Sequence, residues 1–500
     1  MKQFFSITVL LTLVLSTTSC KKWLDLKPQD GIVGDEFWQT KEQVEAGIIG
    51  IYSSLLSETS GTSIGPVESF FLWGEARADM VVPGFRASAE ELDIVNMNIQ
   101  PNNRYTNWRM LYQTINYCNT LIQLAPGVLQ TDNTFTQEQL NRAVAEAKTV
   151  RALMYFYLVR TFRDVPLKLN ATISDEDIEP IAKSNADAVL TQIITDLKEA
   201  EPGLPLSYGN QAADKGRVTR YAANAILADV YLWTEKYAEC VAECDKIINS
   251  NRFGLIGGGQ SIFDELYLQG NSSESIFELQ FDVQKLNPFY GMHHPTIRRW
   301  GGAPHLMDQV FGPDDPNTLE VEQDLRGLGT SLRGSDFTIW KYIGANNTAT
   351  SIRSADQSFA NWIFYRYADV LLMKAEAINQ MDQPLEASRL VKIIRERAEA
   401  FDFNSTMDST SKSGMEEFIL QERQREFAFE GKRWYDVLRN AKRNNYQNLQ
   451  YLLEVTATSI PADRQQAAFN KIRDKNSHYL PIFLYEMQTN KLLVQNPFYK

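Results

Sequence analysis

Apolar and small residues recur at intervals of three and four along most of the chain, a spacing that predicts amphipathic helices. Residues 216–249 show this most clearly, with two helical stretches separated by a break at residues 234–236. The same pattern returns further along the chain. The matched positions are Ala228, Tyr231, Cys240, Cys244 and Ile247 in the first copy and Ala375, Ile378, Ala387, Val391 and Ile394 in the second. Small or apolar side chains at these offsets are typical of the two-helix tetratricopeptide repeat.

Two further helix pairs complete a predicted scaffold of about four degenerate repeats. One joins a helix around residues 41–56 to a helix around 107–124, and the other joins residues 137–162 to residues 186–200. Their connecting segments are much longer than a repeat turn, which predicts long loops inserted into a helical frame. We therefore predict a mainly α fold, a tetratricopeptide-repeat-like scaffold with inserted loops and short strands. Cys240 and Cys244 fall on inward helix positions, so we expect them in the core rather than on a metal.

Residues 253–358 interrupt the helical pattern with many Gly, Pro, Asn and Asp residues. Short alternating runs at residues 275–281 and 337–343 predict strands. In the second run, Trp340 and Tyr342 would share one face of a strand. We predict a loop-rich insertion laid over the helices.

The first twenty residues form a predicted export signal. Lys2 is followed by an apolar run of about twelve residues, which is too short to span a bilayer and has the size of a signal-peptide core. Small residues then precede Cys20, an arrangement that resembles the lipobox of bacterial lipoproteins. We predict a signal peptide over residues 1–19, lipid attachment at Cys20, and an anchor and linker over residues 20–40. An ordinary secretory signal with an incidental cysteine is the alternative.

Charge and motif content narrow the classes of function. The 500 residues include 50 Lys and Arg against 62 Asp and Glu, a net charge of −12, and no basic run, which argues against nucleic-acid binding. The sequence lacks the H-E-x-x-H and G-x-S-x-G motifs. The acidic residues 314–324 lack the spacing and central glycine of an EF-hand. We predict that the protein is not an enzyme and binds neither a metal nor a cofactor. The paired carboxylates of a glycosidase have no fixed sequence motif, so a glycosidase remains an alternative.

Motifs in both halves of the chain resemble one family. The C-terminal half contains R-Y-A-D-V-L-L-M-K-A-E-A-I (366–378), I-L-Q-E-R-Q-R-E-F-A-F-E-G-K-R-W-Y-D-V-L-R (419–439) and N-K-L-L-V-Q-N-P-F-Y (490–499). The N-terminal half adds W-L-D-L-K-P (23–28) and F-R-D-V-P-L (162–167). In this order the motifs resemble those of the SusD/RagB-like outer-membrane nutrient-binding lipoproteins of Bacteroidota.

The resemblance implies one SusD-like domain over residues 41–500, anchored to the cell outer membrane through its lipid and facing the cell exterior. It also implies a partner, a TonB-dependent outer-membrane transporter, to which the protein delivers a captured nutrient. The usual cargo in this family is an oligo- or polysaccharide, and peptide cargo is the alternative. A lipid-anchored hydrolase and a purely structural repeat scaffold are the alternatives from other classes.

Candidate ligand contacts are aromatic rings, amides and guanidinium groups outside the helical core pattern, because apolar sugar faces pack on rings and polar donors fix hydroxyl groups. Two inserted loops contain such residues. They are Tyr290, His294, Arg298, Arg299 and Trp300 in one loop, and Phe85, Arg86, Asn96 and Tyr105 in the other. Trp300 is the central candidate. Four other tryptophans follow helix or signature patterns and are expected in the core: Trp108, Trp233, Trp362 and Trp434. The Arg/Glu run at residues 422–433 is expected to form scaffolding salt bridges along one helix.

Overall fold

A mainly helical frame is present in the computed structural model, which describes residues 37–56, 64–174, 177–258, 261–312, 324–400 and 407–500. The α-helices of four or more residues in these ranges are α1 (Lys41–Leu56), α2 (Pro66–Glu75), α3 (Ala89–Val95), α4 (Arg109–Leu124), α5 (Val128–Thr131), α6 (Gln137–Phe162), α7 (Ala186–Ala200), α8 (Gln211–Gly216), α9 (Arg220–Trp233), α10 (Tyr237–Ile248), α11 (Phe289–His293), α12 (Tyr367–Gln380), α13 (Pro384–Arg397), α14 (Lys412–Glu426), α15 (Arg433–Tyr446), α16 (Leu449–Thr458), α17 (Ala462–Ile472) and α18 (Leu484–Thr489). The strands are β1 (Val81–Pro83), β2 (Val165–Pro166), β3 (Lys183–Ser184), β4 (Ser275–Leu279), β5 (Trp300–Gly302), β6 (Leu332–Arg333), β7 (Thr338–Ile339) and β8 (Trp362–Arg366).

The four predicted helix pairs are present, as α1 with α4, α6 with α7, α9 with α10, and α12 with α13. Side-chain caps account for two of the helix starts: Thr136 accepts the N–H of Gln139 ahead of α6, and Asn185 accepts the N–H of Ala188 ahead of α7. The predicted break at residues 234–236 separates α9 from α10. Their assignment as tetratricopeptide-like repeats stays a prediction.

Polar contacts fix how the paired helices meet. Arg151 of α6 forms two hydrogen bonds to Asp196 of α7, at 2.8 and 2.7 Å, and both side chains are buried. Asn224 of α9 donates to Glu243 of α10 at 2.9 Å. A two-pronged guanidinium–carboxylate pair constrains orientation as well as distance, so Arg151 holds α6 and α7 in one register.

Core positions follow the sequence pattern closely. Cys240 and Cys244 have no solvent exposure, which confirms the prediction that they serve as small core residues. The four tryptophans expected in the core, at positions 108, 233, 362 and 434, are also buried. Over the ranges that the structure describes, no helix is both long and apolar enough to cross a membrane.

The loop-rich region contains the expected short strands, with one correction. β4 pairs antiparallel with β8, and β6 pairs with β7. β7 ends at Ile339, so Trp340 and Tyr342 do not share a strand face. The indole of Trp340 donates to the Asn346 carbonyl at 2.5 Å, and the Tyr342 hydroxyl donates to the Phe429 carbonyl at 2.8 Å. Both side chains are buried, so neither is available to a ligand at the surface.

The Arg/Glu run at residues 422–433 forms scaffolding salt bridges, although its partners differ from those predicted. Within the run, Arg425 pairs with Glu422 at 3.5 Å, as helical spacing predicts. Most of the other ion pairs reach distant segments, and buried Arg366 of β8 contacts both Glu426 at 2.5 Å and Glu430 at 2.9 Å. The run therefore ties the C-terminal helices to β8.

Two predictions lie outside the described residues. The export signal and Cys20 fall within residues 1–36, and most of the acidic segment 314–324 is likewise outside these ranges. Asp324, the described end of that segment, forms an ion pair with Arg326 at 2.6 Å. Within the described ranges, no group of three or more His, Cys, Asp or Glu side chains has the geometry of a metal site.

Candidate ligand-binding site

A two-stranded antiparallel ladder joins the two loops that contain the predicted ligand residues. β1 pairs with β5, and Pro83 faces Trp300 across the ladder. Beyond the end of β1, the N–H of Arg86 donates to the carbonyl of Arg298 at 3.1 Å. Phe85 and Arg86 therefore lie beside residues 298–300, although they are far apart in sequence.

The exposed part of this region presents aromatic rings and guanidinium groups. Phe85 is 64% exposed, and the Arg86 guanidinium carbon lies 6.0 Å from its ring centroid. Tyr290 and His294, on α11 and directly after it, stack with ring centroids 4.5 Å apart, and both are half-buried. Arg298 follows His294 by four residues, and its guanidinium donates to the Asp336 carbonyl at 2.6 Å. We call these five residues the Phe85 surface.

Backbone hydrogen bonds hold the α11 side of this surface to the ladder. The N–H of Arg299 donates to the carbonyl of Met292 at 2.9 Å, and the N–H of Ile297 donates to the carbonyl of His294 at 3.0 Å. The chain after α11 therefore folds back along the helix before it enters β5. Burial, followed by the charge of Arg333, lowers the pKa of His294 from its ordinary value, so the ring that stacks on Tyr290 is neutral at pH 7.

Trp300 requires a correction, because it lies beneath the Phe85 surface rather than on it. Its side chain has no solvent exposure, and its indole N–H donates to Glu91 Oε1 at 2.8 Å. The ring therefore cannot stack on a sugar in this conformation. The same applies to Tyr105, which is fully buried with its hydroxyl 3.1 Å from both Glu68 Oε1 and Glu91 Oε1.

Arg299 is also committed to internal partners. Its guanidinium lies 2.5 Å from both Glu68 and Glu91, and its side chain is only 23% exposed. Burial alone would raise the pKa of Glu91, but hydrogen bonding and charge from Arg299 outweigh that effect and hold this pKa below its ordinary value. The guanidinium, the two carboxylates and the buried rings form a rigid floor under the exposed residues.

Asn96 is not brought to the Phe85 surface by these contacts. It follows α3, and its amide donates to the Leu92 carbonyl of that helix at 2.7 Å. This side chain completes the helix end, a role that amides often fill. The candidate set therefore divides into exposed residues, floor residues and one helix-terminal residue.

A pocket of about 370 Å³ adjoins the floor. It is lined by Leu56, Gly65, Val67, Glu68, Lys285, Leu286, Asn287 and Pro288, and we call it the Lys285 pocket. Glu68 joins it to the floor, because the same carboxylate pairs with Arg299. Its volume lies within the usual range for small-molecule sites. A larger groove of about 480 Å³ lies between α1 and α4, but no predicted ligand residue lines it.

Sequence reasoning missed Glu68, Glu91 and Lys285. Glu91 had a local signal: Ser88 and Glu91 form a capping box at the start of α3, with the Ser88 N–H donating to Glu91 Oε2 at 2.7 Å. That signal predicts a helix start but not the contacts of Oε1 with Arg299 and Trp300. Glu68 and Lys285 carry no local signal, since their positions depend on tertiary packing.

Two family models match the chain. One, described as the SusD family, matches residues 329–499, and the other, described as starch-binding associating with outer membrane, matches residues 22–232. The chain belongs to the SusD/RagB-like family. The resemblance found in the sequence motifs is thereby confirmed.

Individual SusD-like proteins agree with this assignment. A SusD-like protein of Formosa agariphila is 28% identical over 490 residues, which cover 88% of this chain and 93% of that protein. A SusD superfamily structure from Bacteroides vulgatus superposes with a TM-score of 0.75 at 23% identity, covering 92% of this chain and 100% of that one. A laminarin-binding SusD-like protein superposes with a TM-score of 0.64 at 23% identity, with the same coverage. At these identities the two structures show a shared SusD-like fold, as predicted.

Proposed function

We propose that this SusD-like protein is a cell-surface lipoprotein that binds an oligo- or polysaccharide at the Phe85 surface. The observation that carries the proposal is the β1–β5 pairing, which sets the exposed Phe85 ring and Arg86 beside Arg298 and the Tyr290–His294 stack. Aromatic faces pack against the apolar faces of sugar rings, and guanidinium groups donate hydrogen bonds to their oxygens. The starch-binding description of one matching family model and the laminarin-binding relative support a glycan ligand.

Binding at this site requires no catalytic step. The two floor carboxylates, Glu68 and Glu91, are both paired with Arg299, and the low pKa of Glu91 makes it a poor general acid at neutral pH. Incubation with each bound glycan should therefore leave its chain length unchanged. Release of shorter sugars by the purified protein, lost in a Glu91→Gln variant, would favour the hydrolase alternative.

A binding comparison tests the proposed site. The mature chain, purified in detergent, would be screened on affinity gels with polysaccharides and by calorimetry with oligosaccharides and peptides. For a glycan that binds, Phe85→Ala should weaken the affinity about tenfold, as expected when about 1.4 kcal/mol of ring packing is lost. Tyr485→Ala is the matched control, because Tyr485 is a similarly exposed ring on α18, and it should bind as wild type does.

Other outcomes of that screen are equally informative. Glycan binding that is equal in wild type and Phe85→Ala would contradict the site and keep the function. Binding of peptides alone would replace the glycan with the peptide cargo. A protein that binds nothing on the panel but co-purifies with a membrane partner would favour the structural-scaffold alternative.

We also propose how the protein is anchored to the membrane and where it delivers the bound glycan. A lipid on Cys20 holds the protein at the outer membrane facing the exterior, and the captured glycan passes to a TonB-dependent transporter. The lipobox-like residues before Cys20 and the family's outer-membrane description support this step. Cys20→Ala should move the protein into the soluble fraction and abolish its co-purification with a transporter. A Cys20→Ala protein that stays in the detergent phase would contradict the anchor.

A further inference from the structure

A second cleft, of about 400 Å³, lies apart from the Phe85 surface and the Lys285 pocket. The lining residues that matter here are Ser207, Asp214, Lys215, Tyr221, Arg252 and Phe253. None of these residues lines the Lys285 pocket or belongs to the Phe85 surface. Short helix α8 and the start of α9 provide one side, and the segment after α10 provides the other. We call it the Lys215 cleft.

Lys215 is a buried ammonium in the cleft wall that forms no direct ion pair with the residues the structure describes. The residue is 7% exposed, its Nζ donates to the Ser275 carbonyl at 2.5 Å, and it forms no ion pair with another described residue. Burial, with a smaller contribution from the charge of Arg252, outweighs the opposing effects of Glu278 and Asp214 and lowers the pKa of Lys215 to about 8. A buried cation left without a charged partner costs free energy, which an incoming anion would offset.

The two nearby acids are occupied by other donors. The Asp214 carboxylate accepts the Ser207 hydroxyl at 2.8 Å and the Tyr208 N–H at 2.5 Å. Glu278 accepts the hydroxyl of Ser275 at 3.0 Å, and burial raises the pKa of Glu278. Neither carboxylate forms an ion pair with the Lys215 ammonium, although both lie close enough to affect its pKa.

The remaining walls supply a second cation and two rings. Arg252 is exposed at the rim, where one guanidinium nitrogen donates to the Leu206 carbonyl at 2.8 Å. Phe253 meets Tyr221 edge to face with ring centroids 5.3 Å apart, and Lys215 Nζ lies 4.6 Å from the Phe253 centroid. Cations, aromatic rings and side-chain hydroxyls thus line a space of small-molecule size.

We propose that the Lys215 cleft is a second binding site, for an acidic sugar whose carboxylate or sulfate group meets Lys215 and Arg252 while its ring packs toward Phe253. The choice of a sugar over another small anion rests on the proposed glycan-binding function. We infer an anionic ligand group because Lys215 forms no ion pair and because the lining of the cleft is net positive, in a chain that carries a net charge of −12.

Calorimetry on the detergent-purified mature chain tests this site. The probes are glucuronate, galacturonate and galactose 6-sulfate, each compared with its neutral parent sugar. At least one acidic probe should bind, and its neutral parent should bind about tenfold more weakly or not at all. Lys215→Met and Arg252→Gln should each weaken the acidic probe about tenfold. Arg252→Gln is the safer variant, because Lys215→Met also removes the hydrogen bond to Ser275.

Two controls separate this proposal from the proposed function. Phe85→Ala should leave acidic-sugar binding unchanged, and Lys392→Met, which alters an exposed lysine on α13, should do the same. Affinity should also fall above about pH 8 as the Lys215 ammonium loses its proton. The other charged groups that act on Lys215 are Glu278, Asp214 and Arg252, and ionisation of Glu278 would weaken anion binding in the same direction.

Three results would overturn the site. They are the absence of binding by every acidic probe, equal binding of the neutral parents, and binding unaffected by Arg252→Gln and Lys215→Met. A loss of acidic-sugar binding in Phe85→Ala would move the ligand to the Phe85 surface and also refute the cleft.

Discussion

At the scale of single residues, Glu91 determines which predicted ligand residues remain available. One carboxylate accepts the Trp300 indole at 2.8 Å, the Arg299 guanidinium and the Ser88 N–H, while the Tyr105 hydroxyl lies 3.1 Å away. These contacts withdraw two rings and one guanidinium from solvent. Because the pKa of Glu91 is depressed in the folded state, its contribution to stability is present above the ordinary carboxyl pKa and is lost as the pH falls through the lower folded value.

Glu91→Gln should lower the free energy of unfolding by about 2 kcal/mol at pH 7, because it removes the charge that pairs with a partly buried Arg299. Urea unfolding followed by tryptophan fluorescence measures this value. Glu42→Gln is the control, since Glu42 is exposed and lies 4.0 Å from Lys41, and it should change stability by less than about 0.5 kcal/mol. Equal stability of Glu91→Gln and wild type would show that the floor is not held by this charge.

At the scale of elements, the helices could be predicted from sequence and the ligand loops only in part. The bounds of α6 and α7 match the apolar periodicity, because that signal and the caps at Thr136 and Asn185 are local. The exposure of Trp300 could not be predicted, since the R-R-W-G-G sequence has the composition of an open loop. Its burial depends on pairing with β1 and on Glu91, which are distant in the chain.

A substitution at Gly84 tests how closely the two ligand loops approach each other. A Cβ at this position would lie 2.4 Å from the Arg298 carbonyl oxygen, so the turn that presents Phe85 needs a residue without a side chain. Gly84→Ala should destabilise the protein by about 1–3 kcal/mol and weaken glycan binding while far-UV circular dichroism stays unchanged.

Gly50→Ala is the matched control for that substitution. Gly50 lies inside α1, and no heavy atom lies within 4 Å of a Cβ built there. Replacing a helical glycine by alanine should therefore stabilise the protein by about 0.5–1 kcal/mol. A Gly84→Ala protein as stable as Gly50→Ala would contradict the close approach of the two loops.

At the scale of the whole molecule, a buried ionic network joins segments that the helix pairs alone do not connect. Arg366 of β8 contacts Glu274 at 2.6 Å in addition to Glu426 and Glu430. Burial opposes ionisation of Glu430, but Arg366 and then Lys341 outweigh that effect and lower its pKa to about 2. The network thus stabilises the fold while its carboxylates are charged, and the stabilisation declines as the pH falls from the ordinary carboxyl pKa toward 2.

Glu430→Gln should therefore reduce the stability lost on acidification. Between pH 5 and pH 3 the free energy of unfolding of the variant should fall less steeply than that of wild type, by about 1–2 kcal/mol over the interval, although the variant is less stable at pH 7. Glu396→Gln alters an exposed carboxylate paired with Lys392 and should keep the wild-type slope. Identical slopes in all three proteins, measured by urea unfolding, would place the acid sensitivity outside this network.

The central claim, that the Phe85 surface binds the glycan, is tested most directly by a crystal structure of the protein with its tightest-binding oligosaccharide. We expect sugar rings within about 4 Å of the Phe85 and Tyr290 rings, a hydrogen bond from Arg86 or Arg298, and Trp300 still buried against Glu91. A sugar bound on the paired helices, or one stacked on a Trp300 that has turned outward, would contradict the site as described.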